Sequence, residues 1–426
     1  MTVAAAEPAG ALDLIQQGRV HGSLYTRPDV FAQEMARIWY RTWVFVGHES
    51  EIPEPNDFVR RGFGPQEVIL ARDVDGRVRV LRNRCPHRGN QVCQDPRGNN
   101  ATFRCAYHGW TFRLDGSSAG VPFSEGYGPD VDPATHDLAQ LPRVESYRGF
   151  VFASAASEGP SLAEHLGRAA EAIDRLLLTS PAQEVRVPRR WLSHEIASNW
   201  KLLAENETDG YHPAFVHSSV FRVSDSGLGR LYRDNSGART RYLGDGHSEN
   251  DLRPVYRQRG NPLEWVGSSP ERAPRYVAAM REALGEDAES VLIDGAPHVM
   301  IFPNLFIGEI HLTMFQPLQA GLTIQHSVAM EFVGGEELNR RALHQSTGSL
   351  GPAGLLLADD AEMHERTFRG LLSLEPEWVD ISRGAHRETV DEEGVPVASI
   401  TDEISMRGFW AHYRQVMSEG QDSAGR

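Results

Sequence analysis

Two kinds of hydrophobic patterning alternate along this chain. Residues 29–44 predict a helix, with Asp29 as its N-cap. From about 45 to 155 the pattern becomes short β segments punctuated by Gly and Pro. Within it, residues 68–71 and 78–81 flank Asp75-Gly76, a hairpin signal. Ala156-Ser157-Glu158-Gly159-Pro160 reads as a linker. Ser161 and Glu164 then form a capping box that opens a helix to Leu178. Beyond residue 185 strands and helices mix. Residues 322–333 read as a strand, and the segment from Ala358 through Leu374 as a helix with Asp360 in its first turn. The polar segment 223–298, rich in Gly, Arg and Ser, admits two readings, a cover over an active site or a plain variable loop. The apolar run 299–307 reads as core before pocket lining. No internal repeat is visible.

Length and composition narrow the class. A chain of 426 residues, 40% hydrophobic, can bury a large core and divide into two or three domains. Its net charge of −15 disfavours nucleic acid and anionic membrane surfaces as partners. No run of about 18 apolar residues predicts a spanning helix. The first residues lack the basic and apolar regions of a secretory signal. Three cysteines make no disulfide framework, which suits a reducing cytoplasm. Lys201 is the single lysine among 43 basic residues, and a structural contact is its expected role.

The chemistry begins with two Cys-His pairs, Cys85-Pro86-His87 and Cys105-Ala106-Tyr107-His108, with 17 residues between His87 and Cys105. Two thiolates and two imidazoles from short loops suit a [2Fe-2S] cluster with both sulfur ligands on one iron and both nitrogens on the other. A structural zinc site is the plain alternative, since zinc accepts the same four ligands. Its usual order is a Cys pair followed by a His pair. The order here, and Gly89 and Gly109 beside the histidines, favour the cluster. Cys93 is left over and is expected to be a buried free thiol.

A second constellation lies downstream. His212 and His217 are five residues apart, with Pro213 between them to restart a helix and re-aim the second ring. With a distant carboxylate from Asp359-Asp360 they make a 2-His-1-carboxylate iron site. Asp209, three residues before His212, shares its side of a helical turn and can fix that ligand's tautomer. A His pair at this spacing is weak alone in a chain with 17 histidines. An upstream electron-storing cluster raises its weight.

The stretch Cys85-Pro86-His87-Arg88-Gly89 with Cys105-Ala106-Tyr107-His108-Gly109-Trp110 resembles the Rieske domain of aromatic-ring-hydroxylating oxygenases. The run from Asn199-Trp200-Lys201 through Glu205, Asn206, Asp209, Tyr211 and His212 to His217 resembles the catalytic iron site of the same family. The resemblance spans about residues 20 to 415. It implies an α+β fold. An all-β Rieske domain, residues 40–157, is inserted in a helix-grip catalytic domain of antiparallel sheet plus helices, residues 1–39 and 158–426. It implies one [2Fe-2S] cluster on Cys85, His87, Cys105 and His108. It also implies one mononuclear Fe(II) per subunit on His212, His217 and Asp360, with Glu365 behind Asp360 and Asp359 as the second choice. The catalytic Asp209 would bridge His108 and His212 across a subunit boundary in a homotrimer of alpha subunits, alone or with small beta subunits. A reductase, with or without a ferredoxin, would supply NAD(P)H-derived electrons.

The implied reaction is hydroxylation of an aromatic ring with O2, as cis-dihydroxylation or, alternatively, as monooxygenation or O-demethylation. The Gly351–Asp360 stretch and the 401–414 tail resemble benzoate-, salicylate- and terephthalate-type alpha subunits, which implies an aromatic carboxylate substrate. One departure is a residue missing between Asn206 and Asp209, which leaves the role of Asn206 open. Rival classes are a pure electron carrier, which has no need of residues 158–426, and a zinc-stabilised binding module.

Overall fold

A computed structural model describes residues 12–130, 132–223, 228–351, 354–373 and 375–418. The first residues, on which the secretory-signal expectation falls, part of the polar stretch (224–227), Pro352-Ala353 and Leu374 lie outside the described residues. The chain forms two compact units. One comprises Trp39–Glu164 with Arg186–Arg190, and the other the described parts of Met1–Ile38, His165–Val185 and Trp191–Arg426.

The first unit differs from the 40–157 expectation for a physical reason. The expected linker is pinned to it: Trp43 Nε1 donates to the Pro160 carbonyl at 2.9 Å, and Arg143 Nε to that of Ala156 at 3.0 Å. Residues 186–190 are pinned likewise by the Val187 amide on Ser50 Oγ at 2.8 Å and by the Arg189–Asp57 pair.

Helix α1 (Pro28–Glu34) runs into a π turn at Met35–Trp39 and stops well short of residue 44. It opens on Pro28, whose fixed φ suits the first helical position. Asp29 is therefore not the N-cap; it lies in the first turn, paired with Arg27 at 2.5 Å. Strand β1 (Val44–His48) follows, wholly buried.

Apart from short helical turns, the first unit is β structure. Strands β2 (Asp57–Phe63), β3 (Gln66–Arg72), β4 (Val78–Arg82) and β5 (Arg97–Asn99) form a sheet in the order β4-β3-β2-β5. The expected hairpin joins β3 to β4, with Gly76 at φ 82° giving its N–H to the Asp73 carbonyl at 3.0 Å. Strands β6 (Thr102–Arg104), β7 (Thr111–Arg113) and β8 (Ser118–Gly120) make a second sheet, and β9 (Arg143–Tyr147) and β10 (Phe150–Ser154) complete a third with β1. Phe58, Ile69, Leu81, Phe103, Trp110 and Phe112 are buried together with Cys85 and Cys105. The capping box is present, with Glu164 Oε2 accepting the Ser161 amide at 2.7 Å. The helix it opens is broken into α2 (Leu162–Leu166) and α3 (Ala169–Leu178) by Gly167 at φ 46°.

The second unit is built on a nine-stranded antiparallel sheet. In chain order its strands are β11 (Leu192–Ile196), β12 (Arg239–Gly244), β13 (His247–Asp251), β14 (His298–Ile301), β15 (Leu305–Gly308), β16 (His311–Gln319), β17 (Leu322–Ala329), β18 (Thr389–Val390) and β19 (Pro396–Ser399). Their spatial order is β11-β17-β16-β15-β14-β13-β12-β19-β18. Between β11 and β12 lie α4 (Trp200–Asn206) and α5 (Pro213–Val216). The described part of the polar stretch is not a plain loop. It supplies β12 and β13 and the helices α6 (Arg253–Arg259), α7 (Pro274–Leu284) and α8 (Ala288–Asp294). Its charges are matched internally, as in the Arg253–Asp251 pair at 2.7 Å, so high polarity did not mean loop. The 299–307 run is core, with Val299, Ile301, Phe302, Leu305 and Ile307 at zero exposure. Helices α9 (Leu357–Leu371) and α10 (Ile404–Ser418) close the unit, α10 packing on β12 and β13.

Lys201 is fully buried, with Nζ 2.5 Å from Glu34 Oε1. Glu34 also accepts from Trp200 Nε1 at 2.9 Å and the Tyr413 hydroxyl at 2.7 Å. No helix among the described residues is long and apolar enough to cross a membrane.

Candidate metal centres

Cys85 and Cys105 open two loops of the same design. Gly89 and Gly109 give their N–H groups to the carbonyls of Cys85 and Cys105, both at 2.9 Å. The Cys85 and Cys105 amides in turn bond the carbonyls of Asn90 and Trp110, both at 2.8 Å. Each turn closes because its glycine takes φ near +75° (76° and 73°), where a side chain is strained. Only the second loop sits at a hairpin tip, between β6 and β7. The first crosses from β4 to β5, opposite edges of one sheet.

The four predicted cluster residues come together. Burial pushes both thiols up, opposed at Cys85 by the amides of His87 and Arg88 and at Cys105 by those of Tyr107 and His108. The balance leaves Cys85 raised and Cys105 lowered from the ordinary thiol value. Asn90 Nδ2 adds a contact to Cys105 Sγ at 3.7 Å. The His87 and His108 rings lie 4.4 Å apart between centroids, and His87 stacks on Trp110 at 5.0 Å. The buried Nδ1 of His87 has no hydrogen-bond partner among the described residues. Burial and the neighbouring His108 hold His87 below its usual pKa, so the ring stays neutral, as a ligand must. Two amide-solvated sulfurs, an orphaned imidazole nitrogen and the adjacent His108 ring fit the donor set of a two-iron, two-sulfide cluster. Cys93 stands apart: it is buried, bonded to the Asp95 carbonyl at 3.4 Å, and pushed by burial to about 11.

The second centre is carried by α4, α5 and α9. Between α4 and α5 the chain is a turn, not the helix expected to align Asp209 with His212. Asp209 Oδ1 accepts the Tyr211 amide at 2.7 Å, and this bond orders the turn. Gly210 is obligatory here, since a Cβ would stand 2.3 Å from the Ile400 carbonyl oxygen. The outcome still juxtaposes the pair, with Asp209 Oδ2 at 3.4 Å from His212 Nδ1. Pro213 restarts the helix, so His212 and His217 cap its two ends. Their Nε2 atoms lie 3.5 and 3.3 Å from Asp360 Oδ1.

One ligand atom from each of His212, His217 and Asp360 falls within 4.8 Å of the others. Asp360 Oδ1 is buried and lacks a hydrogen-bond donor among the described residues. Burial raises its pKa, but His217 and then His212 outweigh burial and hold it below the ordinary value. Burial lowers His212, and Asp209 reverses this to a net rise. Such a trio, with a buried carboxylate oxygen facing two imidazole nitrogens, fits a divalent metal with open positions. Asp359 is 41% exposed at its side chain, with Oδ2 3.8 Å from His217 Nδ1. Glu365 is engaged by the Ala197 amide at 3.2 Å rather than by the trio.

Three polar neighbours were not singled out from the sequence. His364 sits one turn after Asp360 on α9, a spacing that could have flagged it; burial pushes it down to about 4. Glu207 and His298 gave no signal, because they are brought to the site by β14 and the end of α4.

Comparison with known proteins gives consistent matches. A family profile described as the Rieske [2Fe-2S] domain matches residues 42–143, and one described as the ring hydroxylating alpha subunit (catalytic domain) matches 184–419. The chain is 30% identical over 391 residues to the 2-halobenzoate 1,2-dioxygenase large subunit of Burkholderia cepacia, covering 87% of this chain and 82% of that protein. It is 41% identical over 210 residues, 48% of this chain and 45% of the other, to the N,N-dimethyl phenylurea N-demethylase subunit alpha of Sphingobium sp. (strain YBL2). The solved structure of naphthalene 1,2-dioxygenase from Rhodococcus sp. bound to indole matches with TM-score 0.82 and 26% identity, covering 97% of both chains.

Proposed function

The chain belongs to the ring-hydroxylating oxygenase alpha subunits, enzymes with a Rieske [2Fe-2S] domain and a mononuclear-iron catalytic domain. From that premise we propose that Cys85, His87, Cys105 and His108 hold the cluster and that His212, His217 and Asp360 hold the iron. The cluster, when bound, supplies single electrons and the iron supplies O2 activation for attack on an aromatic ring. The observation that carries the reading is the convergence of His212, His217 and Asp360 within 4.8 Å, with a buried Asp360 oxygen that lacks a hydrogen-bond donor among the described residues and faces both imidazoles.

Each protein group then has a task. Amides of His87, Arg88, Tyr107 and His108 stabilise the two sulfurs as thiolates. Asp209 keeps the proton of His212 on Nδ1, which leaves the Nε2 lone pair facing Asp360. We further propose a homotrimer in which Asp209 receives the electron from His108 of the partner subunit. Support comes from the exposure of Tyr107 beside the cluster histidine (56%) and of Tyr211 beside Asp209 (40%), both large rings left at the surface. The electrons come from a reductase, with or without a ferredoxin, and a small beta subunit accompanies the trimer. The words "large subunit" in the halobenzoate relative's name support a second subunit. Three free cysteines suit a cytoplasmic setting.

The proposed reaction is cis-dihydroxylation of an aromatic carboxylate, supported by the halobenzoate relative. The second reading, monooxygenation with loss of an N- or O-alkyl group, is supported by the demethylase relative at 41% identity. Purified enzyme with a reductase, NADH and labelled O2 distinguishes them. Dihydroxylation puts both labelled atoms in the product, and monooxygenation one. Material without acid-labile sulfide, or without iron beyond the cluster's two atoms, would overturn the whole reading.

A further inference from the structure

Two arginines occupy matching places in the two Cys-His loops, and none of these tasks uses them. Arg84 precedes Cys85 and Arg104 precedes Cys105. Each side chain folds back so that its guanidinium lies over the glycine of its own loop. A Cβ built on Gly89 would stand 3.4 Å from Arg84 Nε, and one built on Gly109 would stand 3.4 Å from Arg104 Nη2. Those glycines close the turns that carry His87 and His108. The turns do not need the arginines, because each is closed by the glycine's positive φ and its N–H bond to the cysteine carbonyl. Both arginines are exposed, and neither guanidinium forms an ion pair among the described residues. Their charges are therefore left uncancelled beside the ligands.

The charge of the chain gives this arrangement a consequence. Residues 60–113 hold eleven arginines and four acidic residues, whereas the whole chain has 43 basic and 58 acidic residues. A chain at −15 opposes the arrival of another electron, and the stretch around the proposed ligands reverses that sign locally. Two ferric ions, two sulfides, two thiolates and neutral imidazoles carry no net charge together, and one added electron makes the assembly anionic. A fixed cation nearby lowers the energy of the second state relative to the first.

We infer that Arg84 and Arg104 are positioning residues for the electron, a matched pair of fixed cations that raises the reduction potential of the cluster. The electron is the one that the reductase supplies, and no proton or bond is exchanged. The inference rests on the cluster half of the oxygenase reading above. It adds to the ligand set two residues that touch neither metal nor substrate.

The test is a redox titration of purified holoenzyme, followed by the cluster's visible spectrum. It compares wild type with Arg84→Gln, Arg104→Gln, the double Gln variant and the double variant Arg84→Lys with Arg104→Lys. Arg77→Gln is the control, since Arg77 is exposed at the tip of the β3–β4 hairpin, away from both loops. Each single Gln variant should lower the one-electron reduction constant about threefold and the double about tenfold, which is about 59 mV. The double Lys variant and Arg77→Gln should both keep the wild-type potential. Acid-labile sulfide should stay at the wild-type level throughout. An unshifted potential in the double Gln variant overturns the inference. So does an equal drop in the double Lys variant, which would trace the effect to packing, or in Arg77→Gln, which would trace it to net charge. Should the double Gln variant fail to fold, the single variants decide by the same shift. Wild type without acid-labile sulfide fails the oxygenase reading itself, whereas a full cluster indifferent to both arginines fails this inference alone.

Discussion

Asp209 has two jobs that use different oxygens. Oδ1 ties down the Tyr211 amide at 2.7 Å and Oδ2 faces His212 Nδ1 at 3.4 Å. Asp209→Asn keeps the turn bond, since the amide oxygen accepts, but removes the charge that favours the His212 proton. It should therefore retain both metal centres and lose nearly all turnover. Iron analysis, the visible spectrum and coupled O2 uptake check this, and near-normal activity would refute the role. The adjacent aspartates provide a second contrast. Asp360→Ala should lose the mononuclear iron and keep the cluster's visible absorption, whereas Asp359→Ala should keep both. The reverse result would shift the assignment by one residue. The family resemblance selects Asp360 with Asp359 second, since neighbours on a helix differ by about 100° in direction and spacing alone does not separate them. Burial separates them: Asp360 is 9% exposed at its side chain and Asp359 41%.

At the scale of elements, the iron site depends on a turn that interrupts two helices. Gly210→Ala would drive a Cβ into the Ile400 carbonyl, 2.3 Å away, and that oxygen belongs to backbone. The substitution should cost about 1–3 kcal/mol and splay Asp209 from His212. Iron content should fall while acid-labile sulfide stays at the wild-type level. A fixed Fe-to-sulfide ratio in that variant would count against a local effect. Lys201 anchors α4 from the other end through Glu34, both at zero side-chain exposure. Lys201→Met leaves Glu34 buried without its cation and should cost about 3–5 kcal/mol. Calorimetry should show a lower melting temperature, in part restored by adding Glu34→Gln. The Asp75-Gly76 hairpin and the capping box were legible because local hydrogen bonds decide them. The 209–212 turn was not, because its glycine answers to Ile400, nearly two hundred residues on.

For the whole molecule, the question is whether one chain suffices. In the proposed trimer, electrons cross from one subunit's cluster to another's iron. Cys85→Ala chains, lacking the cluster, and His212→Ala chains, lacking the iron, should each be inactive alone. Co-expressed, they should regain a measurable fraction of wild-type turnover. A mixture as inactive as its parts would restrict transfer to a single chain and remove the trimer from the reading.

The proposed cluster ligands are set out locally. Two Cys-His loops with glycine four residues after each cysteine close into the same turn wherever they are placed, so their chemistry could be read from spacing alone. The capping box and the Pro213 restart likewise needed only neighbours along the chain. What spacing could not supply was the company each group keeps. The polar 223–298 stretch became two strands and three helices because its charges find partners within the folded unit. Asp360 was set against His212 and His217, and the Glu207 carbonyl on His298, only when β14, α5 and α9 met. Short-range hydrogen bonds and backbone preferences are written residue by residue. Burial and through-space charge depend on every element that packs around a group, and they exist only in the folded chain.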